Sequence, residues 1–467
     1  MNIHRYTQYM YSYPHKTAYR PLSNASITDS LSCLSGPGHS LYLHLPFCEA
    51  KCGYCNLFSV TGQSTEAIDR YLDAVERQLG QYQPLFDSVG CVFSDFTIGG
   101  GTPLLLTDSQ LQRVFSMVKR SVRLCDDGDI IIETAPNQTT AEKLKILKDE
   151  GVTRVSMGIQ SFFDEELKTL RRCHRAEKAR QSLRLLMDSG FPCVNVDFIY
   201  GVPGQSEDSF MASIREADSY GPEELFLYPL YLKHGASLEK ELEHGIVLDE
   251  ALAWRQYNMA AGWLKSRGYR QDSMRRFVKS ICRDGICADD ISGGSILPDR
   301  PAVNREFSDC GFGNTVSIGC GGRSYLGNLH FCTPYTVTRE GCLEQIRQYE
   351  ETQDFCRITH GFVLSAIEQK RRYAIRHLLI LPGLSENIYQ ENFHSDVLKD
   401  FPVVKEWLEH GFLAESKGWL SLTEEGLGLS DYLGPQLISD DVRNRMNQWE
   451  ERYGTRKPSV QRQLKEL

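Results

Sequence analysis

The sequence predicts an α/β fold built on a parallel sheet. Two patterns carry that expectation: apolar, β-branched runs alternate with amphipathic stretches of helical period, and the chemically distinctive residues fall at the C-terminal ends of the runs. In chain order, strands are expected at 41–45, 92–98, 130–133, 154–159, 194–200 and 224–230. Helical patterns lie between them at 65–82, 108–122, 140–150, 176–189 and 206–220. Successive βα units imply a parallel sheet, either a barrel-like (β/α)6 or a doubly wound one, and periodicity does not separate the two. Either architecture places ligands at the C-terminal strand ends.

The chain has 467 residues, enough for two or three domains and a sizeable core. Its fifteen cysteines are odd in number, and the opening Met1-Asn-Ile-His-Arg-Tyr lacks the pattern of a signal peptide, so reduced thiols and a cytoplasmic location are expected. No apolar run approaches a membrane span, and a net charge of -9 argues against a nucleic-acid or anionic-membrane partner. The basic cluster at 168–184 reads as a solvated helix face.

The first chemical signal is Cys48, Cys52 and Cys55, a C-x3-C-x2-C triplet in Tyr42-Leu-His-Leu-Pro-Phe-Cys-Glu-Ala-Lys-Cys-Gly-Tyr-Cys-Asn56, directly after the first strand. Three thiolates on one short loop can hold three corners of a 4Fe–4S cluster and leave one iron open. A zinc site completed by His44 or a distant cysteine is the alternative, although zinc motifs more often pair two C-x2-C units. The second signal is Thr97-Ile-Gly-Gly-Gly-Thr-Pro103, where consecutive glycines let backbone approach a ligand, though alone such a run marks a tight turn. Glu133 and Asp197 are the third, because an acid inside a strand is costly to bury unpaired. Gln160 and Arg172, taken singly, read as a hydrogen-bonded amide and a surface arginine.

The triplet, with an aromatic before its third cysteine, resembles the signature of radical S-adenosylmethionine (SAM) enzymes. Tyr-x-His-x-Pro-Phe-Cys together with Gly-Gly-Gly-Thr-Pro is similar to the oxygen-independent coproporphyrinogen III oxidase (HemN-like) branch. The resemblance implies a partial (β/α)6 TIM-like barrel with a 4Fe–4S cluster on the loop after its first strand. It further implies that SAM chelates the open iron and is cleaved reductively to methionine and a 5′-deoxyadenosyl radical, which abstracts hydrogen from an organic substrate. By the same resemblance Cys48, Cys52 and Cys55 ligate iron. Tyr42, Gly99, Gly100, Gly101, Thr102, Glu133 and Arg172 contact SAM, and Gln160 and Asp197 face a second SAM, so one or two SAM molecules are expected. An electron donor such as flavodoxin or ferredoxin and a small-molecule substrate, porphyrinogen-like or a natural-product intermediate, are the implied partners.

The resemblance runs closely over 40–330 and more loosely to about 435. It divides the chain into an N-terminal arm (1–39), a catalytic domain (40–335), a C-terminal winged-helix-like domain (336–440) and a charged tail (441–467). Ser317-Ile-Gly-Cys-Gly-Gly-Arg-Ser-Tyr resembles the segment that closes the branch's catalytic domain. The arm is dense in aromatic and basic groups and is expected to pack rather than remain disordered, with His15, Lys16 and Arg20 as candidate anion contacts. Two departures bear on the reaction. Members that decarboxylate coproporphyrinogen carry a further cysteine where Leu57 stands, and the region 274–310 is long and bears Cys282, Cys287 and Cys310, with Cys320 and Cys332 following. These five read as scattered reduced thiols or ligands of a second cluster. Radical methyltransferases and haem-binding chaperones are the alternatives to oxidase-type chemistry.

Overall fold

The computed structural model describes residues 3–232, 236–239, 248–279 and 313–453, so Cys282, Cys287, Cys310 and the end of the expected tail lie outside the described residues. The arm leads into β1 (Arg20–Ser26) and β2 (Pro37–Leu45). A short β3 (Phe47–Cys48) then pairs in parallel with β4 (Val60–Thr61), so the cysteine triplet occupies a pinned excursion after β2. Strand and helix next alternate: α1 (Thr65–Ser88), β5 (Val92–Gly100), α2 (Asp108–Ser121), β6 (Leu124–Thr134), α3 (Ala141–Asp149), β7 (Arg154–Gln160). The series continues with α4 (Asp164–Thr169), α5 (Ala176–Asp188), β8 (Cys193–Tyr200), α6 (Glu207–Tyr220) and β9 (Glu224–Pro229).

Strands β2-β5-β6-β7-β8-β9 are hydrogen-bonded in that order, every pair parallel. This is the expected run of βα units. The strands are longer than their apolar signal where polar outer residues join the ladder: β6 begins six residues early, and Asp129 pairs with Asp95. Helix α1 continues through Pro84, because the turn after it buries Phe86. The short α4 was not anticipated; it carries three acids in its first turn, where they suit the helix dipole.

After α7 (Glu250–Ser266), β10 (Tyr269–Gln271) and β11 (Arg276–Lys279) extend the sheet, β11 antiparallel to β9 and β10 antiparallel to β11. At the other edge β12 (Thr315–Ile318) lies parallel to β2, followed by β13 (Arg323–Leu326), β14 (Leu329–Cys332), α8 (Arg339–Glu351) and β15 (Arg357–Val363), which pairs with β1. Among the described residues the sheet is open and thirteen-stranded, with the parallel strands at its centre. The C-terminal part comprises α9 (Ala366–Leu378), β16 (Leu384–Ser385), α10 (Glu386–Phe393), α11 (Val397–Asp400) and α12 (Val403–Glu409). The hairpin β17 (Leu413–Ser416) and β18 (Trp419–Leu422), α13 (Glu424–Gly428), α14 (Ser430–Leu433) and α15 (Asp440–Tyr453) complete it. The hairpin turns on Lys417 and Gly418, both at positive φ, which matches the twist of the flanking strands. No described helix is long and apolar enough to cross a membrane.

The main apolar cluster joins the parallel strands to their helices. A second cluster packs Met10, Tyr13 and Tyr19 of the arm against Trp407, Leu420 and Leu433, which explains the arm's aromatic content. Phe198 on β8 is fully buried and meets Phe162 at 5.7 Å between ring centroids. Phe198→Ala is therefore expected to lower unfolding free energy in urea by about 3–5 kcal/mol; a loss under about 1 kcal/mol would contradict the packing.

Candidate functional site

The cysteine loop is held by backbone on several sides. Gly101 donates its N–H to Leu45 O at 2.8 Å, Thr102 to Phe47 O at 2.7 Å, Val60 to Pro46 O at 2.7 Å, and Gly53 to Leu170 O at 2.9 Å. The glycine run is required by this approach. A Cβ on Gly101 would lie 2.3 Å from Phe47 O, and one on Gly100 would lie 2.7 Å from the His44 ring. His44 is buried and accompanies Phe58 O at 3.0 Å from Nε2; burial pushes its pKa down to about 4, so it stands neutral.

Cys48, Cys52 and Cys55 are free thiols, each partly buried. Burial, and then the neighbouring Cys55, pushes the Cys48 thiol up to about 11; burial and Cys52 raise Cys55. These mutual effects mean the thiols share one neighbourhood. Arg172 reaches into it, with Nη1 3.1 Å from Cys52 Sγ and Nη2 donating to Gly158 O at 2.6 Å. A bound cation would hold such thiols as thiolates despite burial. Among the described residues no three His, Cys, Asp or Glu side chains are grouped to hold a single metal ion. A 4Fe–4S cluster asks for something different, one thiolate per iron, and a loop of three free thiols beside a guanidinium fits that donor set.

The strand ends bring the remaining expected residues together. Glu133, near the end of β6, accepts from Gly100 N–H at 3.1 Å, and a Cβ on Gly99 would lie 3.0 Å from its carboxylate. Its side chain is exposed to an internal cavity rather than to bulk solvent, and surrounding protein, with the charge of Asp197, pushes its pKa up to about 7. Gln160 ends β7 at φ +75°, a left-handed conformation that costs energy in a non-glycine residue and is found at functional sites. Its Nε2 lies 2.8 Å from where a Gly158 Cβ would be. Gly158 is the register partner of Asp197 on β8. Asp197 accepts from Asn195 Nδ2 at 2.8 Å, and burial pushes its pKa up to about 6, against the pull of Asn195 and Arg154.

The cavity, about 330 Å³, opens from Tyr42, Gly100 and Glu133 toward the arm and the C-terminal part. Gly99, Gly101, Thr102, Gln160, Arg172, Asp197 and the three cysteines are not on its wall. Of the arm's basic residues only Lys16 lines it, with Nζ 3.8 Å from the Tyr335 ring centroid. His15 instead pairs with Thr17 Oγ1 at 2.9 Å, and Arg20 donates to Thr17 O, Tyr19 O and Arg445 O, so both serve local structure.

Sequence reasoning missed a set of charged residues on this wall. Arg275 pairs with Asp431 of α14 and lies over the Tyr9 ring at 3.7 Å, joining sheet, C-terminal part and arm. Arg276 bridges Asp272 at 3.0 Å and Glu224 at 2.5 Å, and Arg154 meets Glu224 at 2.6 Å. The adjacent pair Arg275-Arg276 beside an apolar Phe-Val was a legible oddity, but partners so distant in sequence were not. Cys320 is buried and Cys332 half-buried, both as free thiols.

The Radical SAM superfamily model matches residues 42–217. The heme chaperone HemW of Bacillus subtilis is 30% identical over 392 residues, covering 83% of this chain and 96% of that protein. A heme chaperone HemW of Mycobacterium tuberculosis is 32% identical over 262 residues, 55% of this chain; the match spans about two thirds of that relative's length, 65%. The structure of the coproporphyrinogen III oxidase HemN from Escherichia coli, described as a radical SAM enzyme, superimposes with a TM-score of 0.75 at 21% identity, over 92% of this chain and 96% of that one. With this fold, the matched segment and relatedness across nearly all of the Bacillus protein, the chain belongs to the radical SAM superfamily, whose members bind a 4Fe–4S cluster and SAM, and within it to the HemN-like group.

Proposed function

We propose that this protein is a HemN-like radical SAM enzyme in which Cys48, Cys52 and Cys55 hold a 4Fe–4S cluster and the adjoining cavity receives a small organic substrate. The observation that carries the reading is the junction of the pinned cysteine loop, the glycine run and Glu133 with a cavity covered by the arm. When bound, the cluster supplies the electron that cleaves SAM reductively and so starts radical chemistry. The protein's own groups do the rest. Backbone at Gly99–Thr102 would meet the amino acid end of SAM, Glu133 would accept hydrogen bonds from its ribose, and Arg172, beside Cys52, would meet its carboxylate. The arm excludes water, which protects a reactive carbon centre from side reactions.

Gln160 and Asp197 offer polar groups to a second SAM or to substrate. A second SAM would make the reaction a methyl transfer; substrate there would make it an oxidation of the coproporphyrinogen oxidase type. A haem-delivery role is the competing reading, favoured by the near-complete coverage of the Bacillus heme chaperone HemW. It predicts stoichiometric haem binding without SAM turnover.

On anaerobically reconstituted, dithionite-reduced protein, mass spectrometry should detect 5′-deoxyadenosine from SAM in the wild type and none from Cys52→Ala. Asp197→Ala should keep its iron. S-adenosylhomocysteine alongside would identify methyl transfer, whereas full iron and product in Cys52→Ala would contradict the cysteine assignment. The raised pKa of Glu133 gives a second outcome. In SAM-free protein, the folded state keeps its proton at pH values where the unfolded chain, with an ordinary value of 4.5, has lost it. Stability present below pH 4.5 is therefore lost as pH rises through about 7. Glu133→Gln should remove that slope, gaining on the wild type by on the order of 1 kcal/mol across the window once cavity water is allowed for. Equal pH profiles by urea denaturation would contradict it.

A further inference from the structure

The charges on the cavity wall do not balance evenly. On the β9–β11 side, Arg154, Arg275 and Arg276 each meet a carboxylate: Glu224, Asp431, and Asp272 with Glu224. Arg323 differs. Its guanidinium hydrogen-bonds Ser12 Oγ and lies 4.6 Å from the Tyr11 ring centroid and 5.9 Å from that of Tyr325, and it has no carboxylate within ion-pair distance among the described residues. Burial acts on it most, and the phenols of Tyr325, Tyr11 and Tyr19 and the Cys332 thiol are among its polar neighbours. A cation enclosed by protein without a countercharge is unfavourable, and it is a standing receptor for an anion.

Its placement is built by the chain. Gly321 and Gly322 precede it; a Cβ on the first would lie 2.5 Å from the Phe58 ring, and one on the second 1.8 Å from Ser317 Oγ. Only glycine lets this turn pass so close to the cysteine loop and β12 and aim Arg323 at the cavity. Lys16 and Arg376 line the same cavity, and Arg376 donates to Tyr11 O at 3.0 Å, so three cations converge where the arm crosses. Nearby Arg372 has its pKa pushed down to about 10, first by burial and then by the charge of Arg376. Tyr9, Tyr11, Tyr42, Phe58, Phe226 and Tyr325 supply apolar wall.

We infer that Arg323 is the anion-recognition residue of the cavity, and that the substrate is a small organic molecule with an aromatic or apolar body and a carboxylate or phosphate seated on that guanidinium beneath the arm. A planar guanidinium pairs with either group through two parallel hydrogen bonds, which lysine cannot reproduce. The inference rests on the reading of the cavity as the substrate chamber.

The test is equilibrium dialysis of cluster-loaded protein against radiolabelled 3-phenylpropionate, phenyl phosphate and the neutral 3-phenylpropionamide. Wild type should bind at least one of the anions saturably and the amide weakly, the tighter anion naming the preferred group. Arg323→Gln should bind that anion about tenfold less tightly or worse, and Arg323→Lys should fall between, with cluster iron and circular dichroism unchanged in both. No saturable anion binding by the wild type would overturn the inference, as would equal affinity in a folded Arg323→Gln. A loss confined to SAM affinity in Arg323→Gln would also overturn it, because the anion would then be the SAM carboxylate. Cys52→Ala should bind the anion as the wild type does, so the two readings fail separately: wild-type protein that binds the anion but forms no 5′-deoxyadenosine defeats the radical reading alone.

Discussion

The site depends on one steric constraint: there is no room for a side chain where β5 meets the cysteine loop and β6. Gly99 faces the Glu133 carboxylate, Gly100 the His44 ring and Gly101 the Phe47 carbonyl, each at a separation a Cβ cannot keep without displacement. Because those glycines pass so closely, the N–H groups of Gly100, Gly101 and the following Thr102 can pin Glu133, Leu45 and Phe47 at once. The loop bearing Cys48, Cys52 and Cys55 is thereby fixed to two adjacent strand ends rather than left as a surface excursion. Arg172 ties the loop's other side to β7 through Gly158 O. A donor set of three thiols on a short loop is useful only if it is held in this way, since ligand geometry left to a mobile loop loses precision.

The second organising feature is how the chamber is closed. The arm buries Met10, Tyr13 and Tyr19 in the C-terminal core, so arm and C-terminal part form one cover. The cover is joined to the sheet through ion pairs such as Arg275–Asp431, which are buried on both sides. Breaking one partner of such a pair leaves an uncompensated buried charge, which makes the closed arrangement strongly preferred. The cover contributes Lys16 and Arg376 to the chamber wall and β13 of the sheet contributes Arg323, so the chamber's cations come from both the cover and the sheet.

Much of this was legible in the sequence. The alternation of β-branched runs and helical periods located β2, β5, β6, β7, β8 and β9 and helices α1, α2, α3, α5 and α6, because buried parallel strands are apolar on both faces, whereas the short β3, β4 and α4 carry no such pattern. The cysteine spacing and the glycine run pointed to the site because each is a local pattern with few other uses. What was not legible depends on contacts distant in sequence. Nothing local in the sequence sets Arg154, Arg275 and Arg323 apart for this role; it is Glu224, Asp431 and Ser12, distant in the chain, that the fold places beside them. Conversely, His15 and Arg20 looked suited to a ligand and instead cap and brace the arm, as polar groups at turns commonly do. The positive φ of Gln160, the clearest backbone sign of a special position, has no signature in residue type at all.

The measurement that bears most directly on the central claim is the low-temperature electron paramagnetic resonance spectrum of the dithionite-reduced protein, recorded before and after addition of SAM. A cluster held by Cys48, Cys52 and Cys55 with one open iron should give a signal that changes shape on SAM addition, since a new ligand enters the iron's coordination sphere. A reduced-cluster signal that SAM leaves unaltered, or iron content that survives replacement of all three cysteines, would contradict the account.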